Sequence, residues 1–277
     1  MAEIKIAGVM RAGAYSPNHI GNDAAIFNLV ADQLRKRGCE VNVYSEEQLV
    51  SGAVSEHIIV NMCRERRSIS ELQRREDAGD LVINSGYGIE NCIRERMSRI
   101  LTGSSLPYPQ SLLVDTNEGV RDRLMSLGID RCWIKRADQH TRHKEDVSYV
   151  RHAEEAQEVL QEYFLRGIGK AVINRHLDGE QIKFYGVCGT DFFYSFVPSP
   201  KDGGVMNFDA GTLRSLCEKA ADVLGVLVYG GDCVIGSDGS ITIIDFDDWP
   251  SFAPCRNEAA PCIAREILQQ IKKHQKK

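Results

Sequence analysis

The chain has 277 residues, a formal net charge of -5, 43% apolar residues and nine cysteines. That length suffices for a substantial core, in one large domain or two to three small ones, and the acidic balance excludes whole-protein attraction to nucleic acid or an anionic membrane, leaving only a local basic patch open. No uninterrupted apolar run reaches membrane-spanning length and no basic segment leads into an apolar one at the N-terminus, while the scattered cysteines contain no C-x-x-C pair; a soluble, cytoplasmic protein with reduced thiols is expected.

EIKIAGVM (3–10) predicts a strand, NDAAIFNLVADQLRKRG (22–38) an amphipathic helix closed by Gly38, EVNVY (40–44) and HIIVNMC (57–63) further strands, SISELQRREDAG (68–79) a second helix and LVIN (81–84) another strand. This alternation implies a parallel sheet with helices on its faces and ligands beyond the carboxyl ends of its strands. RAGAYSPNHIGND, after the first strand, is therefore a candidate ligand-binding segment, and the resemblance described below implies that it holds part of the acceptor. Arg11, Ser16, Asn18, His19 and Asp23 offer contacts there, and a helix starting near Asn22 offers free N–H groups to an anion. Turn and capping roles explain the same residues.

GIENCIRERMSRILTGSS (88–105) predicts one helix and LPYPQ a boundary. RCWIKRAD then reads as a strand, DQHTRHKEDV as a polar loop and HAEEAQEVLQEYFLRG as a helix. AVINRHLDG, EQIKFYGVCG and DFFYSFVPS read as strands, and a helix over 209–225 precedes a final hairpin. The last helix, over 257–274, carries the basic run IKKHQKK at its negative end.

Within CVIGSDGSITIIDFD, Asp238-Gly239 is the favoured pair of a two-residue turn. Counting outward sets Ser237 opposite Ser240 and Asp232 opposite Asp245, with β-carbons roughly 5 Å apart, where like charges destabilise a sheet. Asp247 projects from the face of Asp245 while Phe246 points away. Three carboxylates on one face suit Mg²⁺ or Mn²⁺, with Asp245 bridging if two ions bind. The alternative is a hairpin whose acids emerge into water.

This arrangement resembles the ATP-grasp superfamily, whose enzymes end a strand with an acid-x-Asn signature followed by a Pro turn and a helix, with a partner Asp on the preceding strand. Here GGDCVI supplies the partner, IDFDDWPSF the signature and EAAPCIAREI the helix; Asp247 stands where Asn is usual and adds negative charge. The resemblance is to the carboxylate-amine/thiol ligases, including glutamate-adding and D-alanine:D-alanine ligase relatives. It implies an α/β (α+β mixed) ATP-grasp fold with an N-terminal parallel α/β subdomain over 1–105. A small lid-bearing subdomain over 106–172 and a C-terminal metal-binding subdomain over 173–277 would enclose the nucleotide.

The resemblance implies ATP and Mg²⁺ (or Mn²⁺) as cofactors, Asp232, Asp245 and Asp247 as metal ligands, and Lys135 of WIKRAD as a nucleotide lysine, although a lone Lys at a strand end also serves as a plain solvated charge. Arg94 stands where relatives often place another nucleotide-contacting Lys, keeping the charge and adding a fork for phosphate. INRHLDGEQIKFYGV resembles the hinge between the ATP-binding halves. It brings in Asn174, Arg175 and His176, with Asp178 or Glu180 for the ribose and Lys183 for a phosphate; a surface turn would use the same residues.

Residues 136–148 contain no glycine, whereas many relatives place a Gly-rich loop there. Arg136, His140, Arg142, His143 and Lys144 offer side-chain charge to phosphate instead, or form a solvated mixed-charge edge. A basic lid implies an anionic acceptor, a feature similar to the inositol polyphosphate kinases of the same superfamily. The leading expectation is a ligase that activates a small-molecule or peptide carboxylate as an acyl phosphate for attack by an amine or thiol, with Lys135, Arg94 and Lys183 neutralising phosphate charge. A kinase with a hydroxyl acceptor and a non-catalytic nucleotide-binding protein are the alternatives, and a homodimer stays open. His57 and His274 read as structural or surface residues, and Ser85 in NSGYG has no visible base partner.

Overall fold

The computed structural model describes residues 4–15, 20–138, 144–198 and 208–276, and three four-stranded sheets lie among them. The first sheet joins β1 (Ile4–Met10), β2 (Cys39–Ser45), β3 (Ile58–Asn61) and β4 (Leu81–Ile83), all parallel, in the order β2-β1-β3-β4. β1 is buried continuously from Ile6 to Val9 because both its faces are covered. Ile6 faces α1 (Ile20–Arg35), and Ala7 and Val9 face a cluster shared with α2 (Glu46–Val50), α3 (Arg66–Asp77) and α4 (Gly86–Asn91).

After α5 (Arg94–Gly103), the second sheet is built from β5 (Ser111–Asp115), β6 (Cys132–Arg136), β7 (Val147–Val150) and β8 (Lys170–Arg175). It is antiparallel, ordered β5-β8-β6-β7, and one face is covered by α6 (Arg121–Ser126) and α7 (Ala153–Leu165). The third sheet contains β9 (Glu180–Val187), β10 (Phe193–Phe196), β11 (Val228–Ile235) and β12 (Ile241–Asp248), antiparallel in the order β10-β9-β11-β12. α5 and α8 (Ala210–Leu224) pack on it through Met97, Leu101, Leu213, Cys217 and Leu224.

The final helix, α9 (Arg256–His274), returns to the first sheet. Its Ile263, Ile267 and Ile271 meet the α1 stripe of Ile26, Phe27, Val30 and Leu34, an amphipathic spacing on each helix. The same core takes Trp249 and Phe252, both fully buried and both with positive φ, 34° and 48°. Such backbone costs about 1–3 kcal/mol per residue for non-glycine side chains, and burial of the two rings offsets it here. Asn84 ties the first sheet to the third: its carboxamide accepts from Leu227 N–H and Val228 N–H and donates to Val228 O.

Several local expectations change. The helix expected over 88–105 is two, because Ile93 is extended (φ -66°, ψ 132°) and α5 restarts at Arg94, with Glu95 N–H donating to Ala137 O. Tertiary bonds at Arg94 and Glu95 override a continuous helical pattern. β7 starts at Val147, the last residue of the segment expected as loop, and falls in a stretch assigned to no element; α2 and α6 are too short to show periodicity. All nine cysteines are free. Among the described residues, no helix is long and apolar enough to cross a membrane.

Candidate functional site

The hairpin of β11 and β12 sets Asp232 opposite Asp245, but not by the route that simple counting gives. The loop is three residues, with Gly236 N–H donating to Ser240 O and Gly239 in the left-handed region at φ 79°. Ser237 is therefore not paired with Ser240. A bulge between Asp232 and Cys233 on one strand and Ile243 and Asp245 on the other absorbs Ile244 and restores the pairing of the acids. Gly231 permits this close approach: a β-carbon there would lie 2.3 Å from the Asp245 carbonyl oxygen.

Each acid then meets a cation from another element. Arg94, at the first position of α5, donates to Asp245 Oδ2 at 3.1 Å, and Lys183 on β9 lies 3.1 Å from Asp232 Oδ1. Arg64, just beyond β3, lies 3.5 Å from Asp247 Oδ1 and 3.7 Å from Asp248 Oδ1. Lys135, buried on β6, donates to Ile244 O at 3.1 Å.

The electrostatics follow from burial and these partners. Burial works to raise the Asp245 carboxyl, but Arg94 and Lys135 outweigh it and hold it below the ordinary range. Burial raises Asp232 despite Lys183 and Gln181. It also lowers the Lys135 ammonium, which Asp245 only partly counters.

Arg94, Lys135, Asn174, Asp232 and Asp245 line one cavity of about 170 Å³ between the second and third sheets. Of the other hinge residues, Arg175 lines it, whereas His176 does not; His176 Nδ1 lies 3.0 Å from the indole nitrogen of Trp133, a lining residue. Asp178 does not line the cavity; it is exposed and bound by both terminal nitrogens of Arg131. Lys183 and Glu180 are likewise outside the lining. Arg136 turns to Asp138 and Asp146, not to the cavity. His140, Arg142 and His143 lie outside the described residues, as does the side chain of Lys144.

Just beyond β1, the Arg11 side chain is buried, pairs with Asp23 at 3.0 Å and donates to Met62 O and Trp249 O; Ser16, Asn18 and His19 lie outside the described residues. Ser85 caps α4, His57 is an exposed partner of Asp80, and His274 lies in the last turn of α9. Sequence reading missed Arg64, Trp133 and Gln181. Only alternation along β6 offered a signal, since Trp133 precedes Lys135 by two.

Among the described residues, no group of three or more His, Cys, Asp or Glu side chains is already arranged to hold a metal ion. Asp247 is drawn to Arg64 instead. The donor chemistry nevertheless fits Mg²⁺, which takes hard oxygens and is commonly held by one or two carboxylates plus phosphate and water; Asp232 and Asp245 present two such groups from facing positions.

No protein-family model matches the chain, and no curated protein matches it in sequence. Solved structures do match in fold. The D-alanine–D-alanine ligase from Bacillus anthracis complexed with ATP superposes with a TM-score of 0.70 at 14% identity, covering 98% of this chain and 97% of that one. The D-alanine–D-alanine ligase from Coxiella burnetii gives 0.72 at 14% identity, covering 99% and 97%. The ATP-grasp ligase PsnB complexed with minimal precursor, Mg and ADP gives 0.64 at 15% identity, covering 98% and 99%. With a parallel α/β sheet joined to two antiparallel sheets that flank a charged cleft, the chain has the ATP-grasp fold.

Proposed function

We propose that the protein is an ATP- and Mg²⁺-dependent ligase that activates a carboxylate of a small molecule or peptide for attack by an amine or thiol. The observation that carries this reading is the convergence of Arg94, Lys135, Asp232 and Asp245, drawn from α5, β6 and the β11–β12 hairpin, on one cavity between two sheets. Ligases of this fold solved with ATP, or with Mg and ADP, support it.

In this reading Lys135 and Arg94 neutralise the phosphates and orient the γ-phosphoryl group, while Asp232 and Asp245, with Asp247 as a third ligand, hold Mg²⁺, which supplies charge neutralisation when bound. An acceptor carboxylate oxygen bonds to the γ-phosphorus as the bond to ADP breaks. The amine or thiol then bonds to the acyl carbon, phosphate leaves, and the nucleophile loses a proton. Positioning and electrostatics carry such a transfer without a protein nucleophile.

The proposed division into subdomains 1–105, 106–172 and 173–277 is supported by the near-confinement of each sheet's strands to one stretch, although β8 runs on to Arg175. The reducing conditions that free cysteines favour make the cytoplasm the proposed location.

The test is ADP release across a panel of carboxylate and amine pairs, with hydroxylamine added to trap an acyl phosphate as the hydroxamate. Mg²⁺-dependent hydroxamate formation supports the reading. A stable phosphorylated alcohol identifies a kinase instead, and nucleotide binding without turnover across the panel identifies a non-catalytic binder.

A further inference from the structure

A second cavity, of about 690 Å³, opens at the far end of the third sheet. β9 and β11 pair Lys183 with Asp232 beside the cleft and Val187 with Val228 at the opposite end, where the turn over 188–191 leaves β9. That turn forms one wall, Glu218 and Asp222 of α8 a second, and Arg265 and Gln269 of α9 a third. No lining residue is shared with the cavity around Lys135. The volume lies within the range of about 300–1,000 Å³ usual for small-molecule sites.

The walls carry more acid than free base. Arg214 is engaged within them: Nε donates to Glu218 Oε1 at 2.8 Å, and the terminal nitrogens to Thr190 O at 2.9 Å and Asp191 O at 3.4 Å. Arg265 is exposed and turns to Cys262 Sγ at 3.2 Å. Against the turn stands Glu266 of α9, only 2% exposed. Its Oε1 accepts from Gln270 at 2.6 Å, whereas among the described residues its Oε2 has no hydrogen-bond partner. A β-carbon on Gly189 would lie 2.7 Å from that oxygen, so the carboxylate is set against the bare backbone of a lining residue. Cys188, also in the lining, senses the same charge: burial first, then Glu218, Glu266 and Asp222, push its thiol up to about 12.

A buried carboxylate oxygen left without a donor is costly, and a donor on a bound ligand removes that cost. An ammonium group suits the position, since it brings N–H donors and a charge opposite to those of Glu266 and Asp222. We propose that this cavity binds a small organic amine, whose ammonium group donates to Glu266 Oε2 and takes Asp222 as its outer counter-charge. The site stands apart from the ATP-binding reading. Its occupant bridges α8, which packs on the third sheet, and α9, which packs on the first, so binding stabilises the junction between two layers.

The test is calorimetric titration of the full chain with 1,4-diaminobutane, alongside thermal unfolding in its presence. Saturable binding and a raised unfolding temperature are expected in the wild type, and neither with 1,4-butanediol, which lacks the charge. Glu266→Gln is expected to weaken binding about 10- to 100-fold, the scale of a lost charge-assisted hydrogen bond. Asp222→Asn is expected to weaken it about two- to fivefold, as for an exposed ion pair. Asp222 is exposed, so this second variant carries the test where Glu266→Gln does not fold. Absence of saturable binding overturns the inference, as does the same response to 1,4-butanediol. Binding that both variants leave unchanged places the amine in the cleft instead, and a matching response to MgCl₂ alone, lost in Glu266→Gln, identifies a metal site; each overturns the inference and leaves the ATP-binding reading intact.

Discussion

Lys135 reaches across the cleft between the second and third sheets and donates to Ile244 O at 3.1 Å. Ile244 is the bulged residue of β12, so its carbonyl stands outside the regular ladder and is open to a partner. One irregularity therefore both restores the opposition of Asp232 and Asp245 and seats the lysine beside them.

Replacing Lys135 with Met keeps the apolar stem and removes the ammonium. Affinity for MgATP is expected to fall about 10- to 100-fold, the scale of a lost charge-assisted hydrogen bond of about 1.5–3 kcal/mol. Calorimetry on the variant and wild type measures it, and an unchanged dissociation constant would remove Lys135 from the phosphate site.

Arg94→Met leaves Asp245 without its principal counter-charge and is expected to destabilise the fold by about 3 kcal/mol. Arg94→Met with Asp245→Asn recovers part of that loss, with a coupling energy of about 1–3 kcal/mol in a urea-denaturation cycle. Simple additivity of the two substitutions would show that the pair is not energetically linked.

Gly231→Ala drives a methyl group into the Asp245 carbonyl. The expected outcome is a loss of about 1–3 kcal/mol in denaturant unfolding, because backbone rather than a flexible side chain must move. A midpoint equal to wild type would mean that the strands separate there without cost.

Asp80 provides a pH test away from the cleft. Burial raises its carboxyl, but hydrogen bonds from Arg75 and His57 prevail and hold it below the ordinary range. Arg75 also donates to Val54 O and Glu56 O, so the node ties the end of α3 to the chain before β3. A depressed folded value gives stability that is complete above the unfolded value near ~4 and is lost as pH falls through the folded value. Asp80→Asn should therefore lower stability near neutral pH by about 1.5–3 kcal/mol and flatten its decline below about pH 4. Thermal unfolding at pH 7 and pH 3 checks both; parallel declines in the two proteins would show that Asp80 contributes nothing to acid sensitivity.

The parallel sheet was legible because its strands are short apolar runs separated by amphipathic helices, patterns that local spacing alone creates. The facing of Asp232 and Asp245 was also legible, although a longer turn and a bulge, not a two-residue turn, produce it. Arg64 was not legible: its side chain meets Asp247 across 183 residues, and the RERR run around it carries no local pattern that names so distant a partner. The break at Ile93 was hidden for a related reason, since bonds from Arg94 and Glu95 to distant strands determine where the helix restarts. β7 is a short edge strand whose pairing to β6 spans a loop, and nothing in VSYV alone specifies that partner.

The apolar core of the second sheet is drawn wholly from residues 112–173, whereas Val187, Val228, Trp249 and Phe252 of the third share one core with Ile6 and Phe27 of the first. Two of the three layers thus behave as a single anvil, and the remaining one as a jaw with an oily interior of its own. The contacts that join jaw to anvil include the polar ones of Lys135 to Ile244 O, Glu95 N–H to Ala137 O and Lys170 to Glu95, whereas the jaw's own apolar cluster is self-contained.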